Sequence, residues 1–170
     1  QATRSGPACD ETSPVSDRSE FTCTGVWSRE RVESFLRETT VPLRLSCHTP
    51  AGRLWMLSLW YRYRDGRLWC ATAADADVVE YLRADEEVAF EISTNDPPYR
   101  GVRGNGVAHV RSDGGKDLLA SLLERYLGGT ESSLGDRLLD DSREEVRIEI
   151  EPRRAFSWDF SERMADAVDD

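Results

Sequence analysis

Lysine is all but missing. Lys116 is the single one among 170 residues, so 21 of the 22 basic residues are arginines. Acidic residues outnumber basic ones 32 to 22, for a formal net charge of −10. Phosphate backbones and anionic lipid surfaces are gripped by Lys and Arg, so this balance argues against nucleic-acid and membrane partners. Two causes can deplete lysine. A GC-rich genome favours Arg codons, and a very saline cytosol favours an acidic, Lys-poor surface. The acidic excess needs a cause of its own, which puts the saline, halophilic reading ahead.

Other absences narrow the chemistry. No apolar run is long enough to span a bilayer. No basic-then-apolar opening resembles a secretory signal, so a soluble cytoplasmic protein is expected. Cys9, Cys23, Cys47 and Cys70 form no C-x-x-C pair, and Cys47 and Cys70 fall in strand-like runs as expected buried thiols. His48 and His109 stand alone on separate strands, which leaves no zinc-ligand spacing. There is no phosphate-binding P-loop and no G-x-S-x-G elbow, and Gly101, Gly104 and Gly106 have the wrong spacing for a dinucleotide fingerprint. Glu91 and Glu149 read as solvated strand residues rather than a catalytic pair.

What is present reads as one domain. Residues 1–26 are rich in Ser, Thr, Pro and acidic residues and are expected to be a tail; 27–164 form the domain, and 165–170 a second acidic tail. Ser28 can cap a helix bearing Val32, Phe35 and Leu36. Val41 to Thr49 alternates as a strand. Leu54 to Tyr63 reads as one long strand, and Asp65-Gly66 turns the chain into a third, Arg67 to Ala73. Asp75 or Asp77 can start a short helix. Strands over 88–93 and 99–111 follow, then an amphipathic helix over 116–127 ended by Gly128-Gly129, a shorter helix near 134–142, and a last strand over 146–151 with an aromatic extension. Three consecutive hairpin-like strands argue against a parallel βαβ fold, and short strands that must hide their edges suggest a closed barrel.

Three stretches could carry chemistry. Trp55, Trp60, Tyr61, Tyr63 and Trp69 crowd one hairpin, fit for a planar ligand or for core and dimer packing in equal measure. Arg100 and Arg103 flank glycines that allow close approach. Three positions apart, they leave opposite faces of an unbroken strand unless a bulge re-aims one. Ala71 to Asp75 runs from a strand into a helix start, where backbone N–H groups can hold an anion, although Asp75 repels one and also suits plain capping.

The runs "VPLRLSCHTPAGRLWMLSLWYRYRDGRLWCAT", "YLRADEEVAFEIS", "PPYRGVRGNGVAHV" and "VRIEIEPRRAFSWDF" resemble the pyridoxamine 5′-phosphate oxidase-like, FMN-binding proteins. The resemblance implies a six-stranded antiparallel split β-barrel of α+β class with Greek-key order, working as a homodimer on a small-molecule substrate. It implies FMN, with a deazaflavin coenzyme or haem as alternatives, and an oxidoreductase or a non-catalytic binding protein. Carried over, Ser58 and Trp60 line the flavin ring, and Ala71 and Thr72 lie near the phosphate. Arg100 or Arg103 supplies charge, and Trp158 closes the pocket from the other subunit. Many relatives have a Ser-x-Lys phosphate clamp after the third strand; Ala76 and Val78 stand there instead.

Overall fold

A computed structural model describes residues 20–167. Eight strands and four α-helices follow in the order β1 (Thr22–Gly25), α1 (Arg29–Glu38), β2 (Leu43–His48), β3 (Leu54–Leu59), β4 (Tyr61–Arg64), β5 (Arg67–Ala73), α2 (Asp77–Ala84), β6 (Glu87–Ser93), β7 (Arg100–Arg111), α3 (Gly115–Leu127), α4 (Ser133–Leu138) and β8 (Glu145–Asp159). The strand path is β3-β2-β6-β7-β8-β5-β4, antiparallel throughout, and β1 lies parallel beside β8.

This path has a consequence for shape. β3 and β4 sit at its opposite ends, yet only Trp60 separates them in the chain. From Leu59 to Tyr61 the backbone reaches at most roughly 7 Å. The two ends of the sheet must therefore curl to within that distance, and the barrel closes through the covalent chain. The expected single strand over 54–63 is thus two strands on opposite edges, divided at Trp60. That division, together with β1, turns six expected strands into eight. β1 also falls within residues 22–25, which composition alone assigns to the tail. Residues 1–19 and 168–170 lie outside the described residues.

Alternation along the strands fills the barrel. Leu43, Leu45, Tyr61, Leu68, Ile92, Val102, Ile148 and Ile150 point inward and are fully buried. α1 adds Val32, Phe35 and Leu36, and α2 adds Val78, Val79 and Leu82. Ser28 caps α1 as expected, accepting from the Arg31 N–H at 3.3 Å. α2 differs from expectation: its N-cap is Ala76, with no side-chain cap bond. α3 packs on β5 and β8 through Leu119, Leu122 and Leu123, and Gly128 ends it in the left-handed conformation that glycine tolerates best.

Two corrections concern charge. Glu149 is buried, not solvated, because Arg67 (2.9 Å) and Arg111 (2.8 Å) from the flanking strands close on its carboxylate. β7 carries no irregularity between Arg100 and Arg103. The single register shift of the β7–β8 ladder falls at Asn105/Gly106, where Arg153 is left over beside Pro152. The two arginines therefore leave opposite faces of the strand.

Candidate functional site

The crossing between β3 and β4 opens a cavity of about 360 Å³. One wall is Ser58, Leu59 and Trp60; a second is Ala71, Thr72 and Ala73 at the end of β5. Leu119 and Leu122 of α3, with Leu138 at the end of α4, form the apolar roof. Pro42, Arg143 and Glu145 complete the lining. The volume lies in the range of small-molecule sites, and the mix of aliphatic wall, one aromatic and few polar groups is typical of them.

The aromatic wall is held firmly. The Trp60 ring stacks on Tyr126 of α3, with centroids 5.3 Å apart and planes 12° from parallel. The Tyr126 hydroxyl donates to the Val41 carbonyl at 3.1 Å and accepts from the Tyr61 N–H at 3.3 Å. One residue thus ties α3 to the segment before β2 and to the first residue of β4. Arg125 extends the clasp, donating to the carbonyls of Arg37 and Thr39 at 2.6 Å each. Burial pushes the Tyr126 phenol up from its ordinary pKa, so it stays a neutral hydrogen-bonding group. Tyr61 is pushed higher still by desolvation, and its hydroxyl donates to the Leu36 carbonyl at 2.9 Å.

The polar end lies where β5 meets the start of β8, with Thr72 opposite Val146 and Ala73 opposite Glu145. Glu145 is buried there, and Arg143 closes on it through Nε (3.1 Å) and Nη2 (2.9 Å).

Four of the residues expected at a site, Ser58, Trp60, Ala71 and Thr72, therefore share this cavity. Arg100 and Arg103 do not, and Trp158 is expected to reach the cavity from a second copy rather than within one chain. Arg103 lines a separate groove of about 480 Å³ on the outer sheet face, with Arg44, Met56, Arg154 and Phe156. Its guanidinium lies over the rings of Phe156 (4.9 Å) and Trp158 (5.4 Å), which holds Trp158 on that outer face too. Arg100 lines neither space; its backbone N–H donates to the Thr94 hydroxyl. The crowded hairpin divides four ways: Tyr61 and Tyr63 fill the core, Trp60 lines the cavity, Trp55 stands at the exposed edge against Tyr81, and Trp69 packs against the guanidinium groups of Arg64 and Arg147. Val78 is a core residue, so that position offers the cavity nothing.

Sequence reasoning missed Arg143 and Glu145. They follow the short helix expected near 134–142, which in the structure ends at Leu138, and nothing in their spacing marks a site. Among the described residues no cluster of His, Cys, Asp or Glu suits a metal ion. No helix among them is long and apolar enough to cross a membrane.

No protein-family model matches the chain, and no curated protein matches it either. Solved structures do. The protein Rv2991 from Mycobacterium tuberculosis is 26% identical over 83% of this chain and 90% of its own, with a TM-score of 0.65. An F420 reductase is 21% identical over 76% of this chain and 98% of its own, at 0.63. A candidate pyridoxamine 5′-phosphate oxidase from Listeria innocua is 15% identical over 74% of this chain and 94% of its own, at 0.56. Sheet order, curled barrel and these likenesses agree: the chain has the pyridoxamine 5′-phosphate oxidase-like split-barrel fold.

Proposed function

We propose that this chain binds a flavin-type coenzyme, FMN or a deazaflavin relative, and works as an oxidoreductase on a small-molecule substrate. The observation that carries this reading is the gathering of Ser58, Trp60, Ala71 and Thr72 around one cavity. The likeness to an F420 reductase supports the deazaflavin form equally.

The lining suits a flat, mostly apolar ring. Trp60 offers a flat wall whose orientation Tyr126 fixes. Leu59, Leu119, Leu122 and Leu138 keep water off, and the Ser58 and Thr72 hydroxyls can meet polar ring atoms. Histidine, cysteine, methionine and tyrosine are absent from this lining, so it supplies no axial ligand for haem iron, which favours a flavin. When bound, the flavin supplies the hydride or electron chemistry; the chain's residues hold and orient it and exclude water.

The same reading includes a homodimer. Leu54 and Met56 on edge strand β3 are 76% and 67% exposed, and Phe156 on β8 adds to this outer apolar surface. A second copy of the chain covering it accounts for that exposure. Replacing Leu54 and Met56 together with Glu is expected to give a monomeric mass by light scattering; a wild-type chain that is itself monomeric contradicts the dimer.

The coenzyme reading is tested by absorbance titration with FMN and with F420, on the wild type and on Ser58→Trp, which adds a bulky ring to the cavity wall. Binding of either coenzyme that falls at least about tenfold in the variant supports the reading. Binding that Ser58→Trp leaves unchanged overturns it.

A further inference from the structure

We propose that Arg143, oriented by the buried Glu145 carboxylate, is the residue that takes the phosphate of the bound coenzyme; this rests on the coenzyme reading above. A phosphate monoester carries about −1.5 to −2 charges at neutral pH and needs N–H donors and positive charge. Among the residues lining the cavity, Arg143 is the sole cation. Arg103 lies on the outer face and Arg100 outside both spaces, so neither serves this cavity within the chain. Positions 76 and 78 hold an alanine and a core valine.

The surroundings of Arg143 are built rather than incidental. Its backbone N–H donates to the Asp140 carbonyl at 3.0 Å, which fixes the turn into β8. Two of the five N–H groups of its fork go to one Glu145 oxygen, leaving three for a ligand. The Glu145 side chain is only 2% exposed while that of Arg143 is 40% exposed, so the carboxylate forms the base and the guanidinium the accessible surface. Glu145 is itself pinned. It pairs with Ala73 across the sheet, and Gly115 of α3 lies so close that an added Cβ would stand 2.1 Å from the Glu145 carbonyl oxygen. The polar end of the cavity thus presents an arginine fork near the end of β5. An arginine is always charged and its planar fork matches phosphate oxygens. Glu145 neutralises part of that charge, so the site favours phosphate by a moderate factor.

The test compares ligands that differ only in phosphate. FMN is titrated against riboflavin, and 5-deaza-FMN against 5-deazariboflavin, by absorbance and fluorescence change. The wild type is expected to prefer the phosphorylated member by about tenfold to a hundredfold, the worth of a charged hydrogen bond. Arg143→Ala alone would strand a buried carboxylate and could unfold the chain. The paired variant R143Q/E145Q keeps an amide pair in the same space and leaves no unpaired charge. It is expected to bring the two members to within about threefold of each other while keeping its affinity for the phosphate-free one. Arg143→Lys is expected to retain part of the preference. A wild type that binds neither member of either pair overturns the coenzyme reading and this proposal with it. Equal binding of both members by the wild type, or a preference that survives in R143Q/E145Q, overturns the Arg143 assignment alone.

Discussion

Removing one oxygen atom, in Tyr126→Phe, tests how the crossing that closes the barrel is held. In the β4–β5 hairpin, Arg64 pairs with Arg67 across the two-residue turn Asp65-Gly66. The hydrogen-bonded pairs alternate from there, so Arg62 and Trp69 form the next one. The Tyr61 N–H therefore points away from β5, and the Tyr126 hydroxyl is what it meets. Tyr61 is fully buried, so water does not replace that acceptor. An unsatisfied buried donor costs about 1–3 kcal/mol. The Val41 carbonyl also loses its bond, but Val41 is only half-buried and can recruit water. The phenyl ring remains to stack on Trp60, so no cavity term is added. The expected loss is roughly 2 kcal/mol. For a chain of this size that is a fall of about 4–8 °C in Tm. Urea unfolding followed by far-UV circular dichroism, at one protein concentration, reads it directly. The slope m should not change, since the same surface is exposed on unfolding. A loss under about 0.5 kcal/mol would mean that Tyr126 does not hold the crossing.

Further predictions concern packing and protonation. At Gly104 a Cβ would lie 2.1 Å from the Arg154 carbonyl oxygen and 2.8 Å from the Phe90 ring, so Gly104→Ala must spread two strands. It is expected to cost about 1–3 kcal/mol in urea unfolding; a neutral result would show that β7 and β8 give way freely. Burial raises the pKa of Tyr61 and, with help from Glu33, of Tyr63. A group raised in the folded state contributes stability that is complete below its unfolded pKa, about 10, and is lost as pH rises beyond it. Their phenolate absorbance should therefore appear together with unfolding, and titration of both in the folded protein near pH 10 would contradict that burial. Cys70 is buried and its thiol is pushed up by desolvation, and Cys47 is raised by the same cause. A thiol reagent should leave both unmodified until denaturant is added; rapid labelling of either under native conditions would contradict the packing.

The fold was legible where alternation and helical spacing were clean. Val32, Phe35 and Leu36 mark α1, and Val88, Phe90 and Ile92 mark β6, because burial on one face writes its period into the residues. The division at Trp60 was not legible. Residues 54–63 are apolar or aromatic almost without a break, and no glycine or proline marks the place where the chain passes from one sheet edge to the other. β1 was missed for the opposite reason. Thr-Cys-Thr-Gly is short and polar, and its place comes from pairing with β8, more than a hundred residues away in the chain. The candidate cavity was legible in part. Ser58, Trp60, Ala71 and Thr72, which the resemblance singled out, lie around it together. Arg143 and Glu145 come together through the turn after α4 and the close approach of α3 at Gly115, contacts that no local pattern announces. Arg103 looked equally suited by residue type, and the unbroken register of β7 sends it to the other face.

The most direct test of the account is a crystal structure of the full chain grown with FMN or F420. The coenzyme's ring is expected beside Trp60, between the end of β5 and α3, with its phosphate at Arg143. Density for the ring in the outer groove instead, against Arg103 and Phe156, would contradict it.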